Sequence, residues 1–341
     1  MRKAWIDYLR VIALGAVIMG HIAADFYHKY GEVSPADWWL TNILNASLRF
    51  AVPIYVMASG ALLLDRSWST VEFYKKRAVR LIPPLLFWNL LYLGIYIYQG
   101  MDLKTVLWNF KALIIVNGFV APHLWYISMF ICLMLFVPFI NMFVRGEKPT
   151  AGDLGILLGI TFPFFVLNTI ASFAYHVYDL QMEWFKLFPW YMVYFLAGYY
   201  LDRYSDEIPI RNGVIAASIL IIVLINATLG YYSVSSLGIK KDAFLVSELG
   251  GSVFLLSMLV FLLAKRLSHF LKENKLITAI AQASFGMYLI HEIFNGMFYN
   301  FAPDYFSHGL IYIPGLALLT FILSFVSITL LRKIPVMRAL C

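Results

Sequence analysis

The sequence predicts an all-α membrane protein: a polytopic bundle of about ten transmembrane helices with both termini in the cytoplasm. Three observations predict it. Of the 341 residues, 62% are hydrophobic and only 13% charged, whereas a soluble domain carries about 25% charged residues. Apolar runs of about 20 residues recur along the whole length, enough for a helix to cross a bilayer. The basic residues fall in short clusters between those runs, so the net charge of +7 reports membrane orientation rather than nucleic-acid binding. The alternating segments of about ten residues that would mark a β-barrel do not occur.

The expected spans cover about 5–25, 43–64, 81–99, 123–144, 153–174, 187–202, 213–232, 244–264, 276–298 and 309–331. With the amino terminus inside, 19 of the 26 Lys and Arg residues fall on the cytoplasmic side. The other seven, Lys29, Arg49, Lys104, Lys111, Lys186, Lys240 and Lys241, fall on or near the outer side. An even span number returns the carboxyl terminus to the cytoplasm. The first span is too long for a signal segment and has no small-residue cleavage site, so it is expected to remain a membrane helix. No linker, repeat or long soluble tail interrupts the chain, and a single domain over 1–341 is expected, with any chemistry carried by the bundle itself. Cys132 and Cys341 suit neither a disulfide framework nor a metal site. The seven histidines are scattered without paired ligand spacing, so no metal is expected.

The first span carries the most informative stretch, Arg10 to His21 (RVIALGAVIMGH). Eleven helical steps rise about 16.5 Å and turn through about 1100°, which puts the two side chains within about 20° of each other. A cation and a titratable imidazole thus share one stripe of an apolar helix, where ionisable groups are costly and read first as functional. An interfacial Arg that snorkels and a His hydrogen-bonded in the bundle form the structural alternative. Asp25, four residues after His21, can reach back to its ring and fix the tautomer. Asp7, three before Arg10, can pair with that guanidinium or serve as ordinary interfacial polarity.

In the second span Asn45 and Arg49 lie one turn apart, at a depth like that of His21, and an Arg there needs a partner or a substrate. Pro53 frees backbone groups that neighbours must satisfy. Ser59 and Gly60 favour close helix packing. The following loop, Lys75-Lys76-Arg77-Ala-Val-Arg80, puts Arg77 and Arg80 on one face. Paired guanidiniums suit phosphate recognition, and a positive-inside cluster on lipid headgroups is the plainer alternative.

The fourth span opens with His123-Leu-Trp125-Tyr126, an aromatic cluster suited to the outer interface. Spans five to eight say less: Glu183, Lys186, Lys240, Lys241 and Asp242 lie outside, and Glu248 just enters the eighth. The ninth carries Ser284, Tyr288 and His291 at i, i+4 and i+7, with Glu292 beside them. Such a stripe faces protein or water, as a site or as a structural hydrogen-bond seam.

These motifs together resemble the acyltransferase-3 family of integral membrane acyltransferases, in particular bacterial surface-glycan O-acetyltransferases of the enterobacterial common antigen type. The likeness covers nearly the whole chain. It rests on Arg10 with His21 after ten residues; Pro53 with Ser59-Gly60; Arg77-x-x-Arg80; His123-Leu-Trp125; and Ser284-x-Gly-x-Tyr288-x-x-His291. Tyr55-Val56 stands where the family often has paired phenylalanines. The resemblance implies a cytoplasmic acyl-coenzyme A donor, most simply acetyl-coenzyme A, as a substrate rather than a tightly bound cofactor. Its phosphates would be held by Arg77, Arg80 and Arg10, and its pantetheine arm would run along the first helix to His21. The acceptor would be a hydroxyl of an extracytoplasmic glycan or lipid-linked glycan, in the cytoplasmic membrane of a bacterium. The hydrolase-like extracytoplasmic domain of some members is not expected here.

The expected activity is therefore O-acyl transfer. His21 would serve as general base on the acceptor hydroxyl, oriented by Asp25, with Arg49 or another buried donor stabilising the oxyanion. Asn45, His123, Trp125, Ser284, Tyr288 and His291 are the expected substrate-lining or supporting residues. An acyl-histidine intermediate is open, while the lack of a G-x-S-x-G elbow argues against an acyl-serine. The other readings are a transporter of an acyl group or small solute serving a separate enzyme, and a structural membrane subunit. Acyl-coenzyme A, glycan and lipid bilayer are the expected partners, nucleic acid is not, and homo-oligomerisation is left open.

Overall fold

The computed structural model describes residues 3–102, 104, 105, 120–178, 188–238, 247–301 and 309–341. Helix overlaps every expected span, and no strand occurs among the described residues: α1 Ala4–Tyr27, α2 Pro35–Leu48, α3 Ala51–Leu63, α4 Thr70–Tyr98, α5 Trp125–Arg145, α6 Ala151–Tyr178, α7 Phe188–Tyr204, α8 Asn212–Ser235, α9 Gly251–Arg266, α10 Lys275–Phe301, α11 Gly309–Leu331 and the short α12 Pro335–Leu340. Among these residues seven segments are long and apolar enough to cross a membrane: Ala4–Tyr27, Pro35–Leu63, Thr70–Tyr98, Pro122–Arg145, Asn212–Ser235, Lys275–Tyr299 and Tyr312–Leu331. The chain is thus an all-α polytopic membrane protein. Lys111, Glu183, Lys186, Lys240, Lys241 and Asp242, expected in outer loops, lie outside the described residues.

The second expected span is not one continuous helix. Pro53 has no N–H to give to the carbonyl of Arg49, and its ring clashes with that carbonyl, so the helix breaks one turn upstream of the proline. α2 ends at Leu48 and α3 starts at Ala51, with Ile54 N–H donating to Phe50 O at 2.9 Å as the helix restarts. Arg49 sits in the break. α2 is opened by Ser34, whose hydroxyl accepts from Asp37 N–H at 3.1 Å, with Pro35 at the first helical position; both are standard start signals.

Contacts divide the chain into two compact units, Met1–Leu62 with Val193–Ala339 and Cys341, and Leu63–Met192 with Leu340. In the first unit α1 packs on α2, α9, α10 and α11, burying Ala13, Leu14, Ile18, Ala23 and Phe26 completely. One end of this unit is held by charge: Asp202 of α7 takes both Lys3 and Lys265, the latter at 3.0 Å, and Lys265 also lies over the Trp5 ring, 5.4 Å from its centroid. The other end is held by neutral hydrogen bonds: Tyr27 Oη to Gly230 O at 3.0 Å, Trp38 Nε1 to Tyr27 O at 3.0 Å and Asn42 Nδ2 to Ala227 O at 2.7 Å. Between them α3 and α7 touch backbone to backbone. A Cβ on Gly60 would stand 1.8 Å from Phe195 O, and one on Gly198 would stand 2.0 Å from Met57 O. Ser59-Gly60 therefore marks a close crossing of the kind small residues permit.

In the second unit α4 is capped by Ser69, which accepts from Glu72 N–H at 3.2 Å, and packs on α5. Tyr74 Oη donates to Leu135 O at 2.6 Å, and Asn141 Nδ2 donates to Arg66 O at 2.9 Å. Pro83 and Pro84 are carried inside α4.

Candidate active site

Arg10 and His21 both meet α10. Arg10 Nη2 donates to Ser284 Oγ at 3.0 Å; eleven residues later, the His21 ring lies 5.3 Å from the His291 ring, tilted by 45°. Because both partners rise together in number, α1 and α10 run parallel. The stripe Ser284, Tyr288, His291 is turned inward on α10 and buried along its length. Tyr55 Oη on α3 donates to Arg10 O at 2.9 Å, fixing the backbone from which that guanidinium extends.

The carboxylate that the fold brings to His21 is Glu292. His21 Nδ1 lies 3.7 Å from Glu292 Oε1, and 43% of the His21 side chain remains exposed. Asp25, expected to orient the ring from i+4, is exposed and makes no hydrogen bond or ion pair among the described residues. It comes within electrostatic range of Glu292. The local helical spacing is therefore overruled by packing: the α1 face that carries His21 is turned to α10.

Glu292 is itself held. Asn295 Nδ2 donates to its Oε1 at 3.0 Å, and Thr320 Oγ1 of α11 donates to Asn295 Oδ1 at 3.0 Å. His291 Nδ1 lies 2.6 Å from Tyr288 O; a carbonyl can only accept, so Nδ1 carries a hydrogen. His291 Nε2 then faces Glu292 Oε1 at 3.2 Å. His291 is wholly enclosed, so its ring is a fixed wall of the site while His21 is the accessible one.

Arg49, in the α2–α3 break, pairs with Glu248 through Nη1 to Oε1 at 3.1 Å. Glu248 is positioned by its backbone carbonyl, which accepts from Tyr194 Oη at 2.6 Å. Both charges lie within electrostatic range of His21. Arg49 Nε is buried with no hydrogen-bond partner among the described residues, so one donor of this guanidinium is unspent. Asn45, one turn before it, is buried.

The remaining expected site residues belong to the second unit. Arg77 lies over the Phe73 ring, 5.2 Å from its centroid, with a buried Nε that has no hydrogen-bond partner among the described residues, and Arg80 is exposed one turn on. His123, in the turn Pro122–Leu124, is buried edge-on to Tyr92 at 5.1 Å. Trp125 packs on Tyr126 and Tyr191, at 6.2 and 5.7 Å between centroids.

Glu292 and Asn295 are the site residues that sequence spacing does not single out. Glu292 stands next to His291 at the edge of the polar stripe, and i, i+4, i+7 counting passes over it.

The family model for the acyltransferase domain of the acyltransferase-3 type matches residues 3–329. No curated protein and no solved structure matches the chain significantly. The match runs through α1, the broken α2–α3 pair and α10, the segments that supply the polar cluster around His21, and the chain belongs to the acyltransferase-3 family of membrane acyltransferases.

Proposed function

We propose that this membrane acyltransferase moves an acyl group, most simply acetyl, from cytoplasmic acyl-coenzyme A to a hydroxyl of an extracytoplasmic glycan or lipid-linked glycan in a bacterial cytoplasmic membrane, as in enzymes of the enterobacterial common antigen O-acetyltransferase type. The observation that carries the reading is the His21–Glu292 pairing: an accessible imidazole with a carboxylate at its Nδ1 side. An alcohol is a poor nucleophile at neutral pH, and a positioned imidazole is the usual remedy.

In this reaction Glu292 keeps the hydrogen of His21 on Nδ1 and leaves the Nε2 lone pair for the acceptor. The 3.7 Å separation is longer than a hydrogen bond, and such contacts commonly tighten when substrate binds. As the hydroxyl oxygen attacks the thioester carbonyl, its proton passes to His21 Nε2. Negative charge collects on the carbonyl oxygen, and the Arg49 guanidinium, within electrostatic range of His21, is the group proposed to meet it. Collapse of the adduct breaks the carbon–sulfur bond, and the coenzyme A thiolate takes the proton from His21. The products are an O-acyl glycan and free coenzyme A. Arg77 and Arg80 are the proposed ligands of the donor phosphates, through paired hydrogen bonds, with Arg10 as a further cation.

The test is purified protein in liposomes, with acetyl-coenzyme A enclosed and a glycan acceptor outside. Release of free coenzyme A together with an acetylated glycan is the expected result. Passage of a solute with no acetylated product would replace the proposal by transport.

A further inference from the structure

His21, His291 and Glu292 each offer one ligand atom, and the three atoms lie within 4.8 Å of one another. We propose that these residues form a site for a divalent transition metal of the zinc class, and that its occupancy switches acyl transfer off. The switch half of this statement rests on the proposed role of His21; the metal site does not.

The donor set and its geometry carry the argument. Two imidazoles and one carboxylate are a recurrent zinc set, with bonds of about 2.0–2.2 Å and a fourth position left open. Tetrahedral bonds of that length put neighbouring ligand atoms about 3.4 Å apart. Two of the separations here are 3.2 Å, His291 Nε2 to Glu292 Oε1, and 3.7 Å, His21 Nδ1 to the same oxygen; the third, between the two imidazoles, lies within 4.8 Å, and the accessible His21 ring is the one that moves in to close it. Imidazole nitrogen favours zinc, copper or nickel over magnesium or calcium, which take oxygen ligands.

The surroundings are those of a metal site as well. A metal-bound histidine usually gives its other N–H to a carbonyl or carboxylate, and His291 Nδ1–H is committed to Tyr288 O at 2.6 Å, which aims the Nε2 lone pair at the cluster. The carboxylate is held by Asn295, and Asn295 by Thr320.

The direction of the effect follows from the imidazole. Binding through Nδ1 uses that lone pair, so the hydrogen of the neutral ring moves to Nε2. A ring so arranged has no lone pair for the acceptor hydroxyl. Metal and general-base function therefore exclude each other at His21.

Equilibrium dialysis of the purified full-length protein against zinc chloride, after stripping with a chelator, tests the site without reference to activity. One zinc ion per chain is expected, with binding lost in His21→Ala, His291→Ala and Glu292→Gln, and weakened about 10- to 100-fold in Asn295→Ala, which removes only the support of a ligand. Cobalt substitution, read by its visible absorption, reports whether the ion is four-coordinate and serves where a variant folds poorly. Coenzyme A release should fall as zinc fills the site and return on adding chelator. Wild-type protein that binds zinc no more tightly than the three ligand variants overturns the site. Bound zinc that leaves the rate unchanged, or raises it, overturns the switch. Zinc-free protein that binds the ion but never transfers acetyl leaves the site standing and removes the catalytic reading instead.

Discussion

Glu292 Oε1 stands 3.7 Å from His21 Nδ1 and 3.2 Å from His291 Nε2, so one carboxylate serves two imidazoles borne on two parallel helices. The arrangement makes Glu292 the hub of the site.

Replacing Glu292 by Gln keeps the shape and the bond from Asn295 but removes the charge proposed to hold the His21 hydrogen on Nδ1. Coenzyme A release in the liposome assay should fall about 10²- to 10⁴-fold, the usual worth of a positioned acid–base group. Asp25→Asn, on the same helix as His21, should stay within about threefold of wild type, about 0.65 kcal/mol, since Asp25 makes no hydrogen bond or ion pair to His21. Equal losses in the two variants would return the orienting role to Asp25. His21→Ala should abolish transfer while the protein still elutes as a folded species.

The Arg10–Ser284 bond ties the guanidinium proposed to meet the donor to α10. Ser284→Ala removes an acceptor from a guanidinium, a loss of about 1.5–3 kcal/mol where a charge is involved. The KM for acetyl-coenzyme A should rise about tenfold or more with kcat nearly unchanged, because a phosphate contact is made equally in ground and transition states. A fall in kcat at constant KM would instead place Ser284 in the chemical step. Arg77→Ala and Arg80→Ala should act in the same KM-dominated way.

Arg49 and Glu248 expose 21% and 30% of their side chains, between the buried pairs whose breaking costs about 3–5 kcal/mol and the surface pairs worth about 0–1. Glu248→Gln should therefore lower stability by about 1–3 kcal/mol, read as a lower Tm in detergent. Arg49→Met combined with Glu248→Gln should recover part of that loss, since the uncompensated charge is then gone. A double variant no more stable than Glu248→Gln would show that the pair is not the source of the effect.

At the α3–α7 crossing, Gly60→Ala and Gly198→Ala each place a Cβ against backbone oxygen, at 1.8 and 2.0 Å. Backbone has no rotamer to yield, so the helices must part, and each variant should lose about 3 kcal/mol or more of stability. Gly94→Ala, where a Cβ meets nothing within 4 Å, should be neutral or gain up to about 1 kcal/mol from helix propensity. Thermal unfolding of the three variants side by side checks the contrast.

The amino-acid sequence by itself determined that this chain is built of membrane helices, and which of their faces carry polar groups. Length, hydropathy and the 3.6-residue period are local properties, so the shared stripe of Arg10 and His21 and the stripe of Ser284, Tyr288 and His291 are both visible before any fold is known. The packing role of Ser59-Gly60 is visible for the same reason: a missing side chain matters wherever helices cross. Only the tertiary structure decided which stripe faces which. Whether Asp25 or Glu292 serves His21 depends on the rotation of α1 against α10, a balance of many weak packing contacts that no spacing rule contains. The break at Arg49 lies between: Pro53 announces a disturbed helix, but whether the chain bends or stops there is settled by its neighbours. The gathering of two histidines and a glutamate from residues 21, 291 and 292 is invisible to ligand-spacing arguments altogether, because those arguments see sequence separation and a metal or a proton sees only distance.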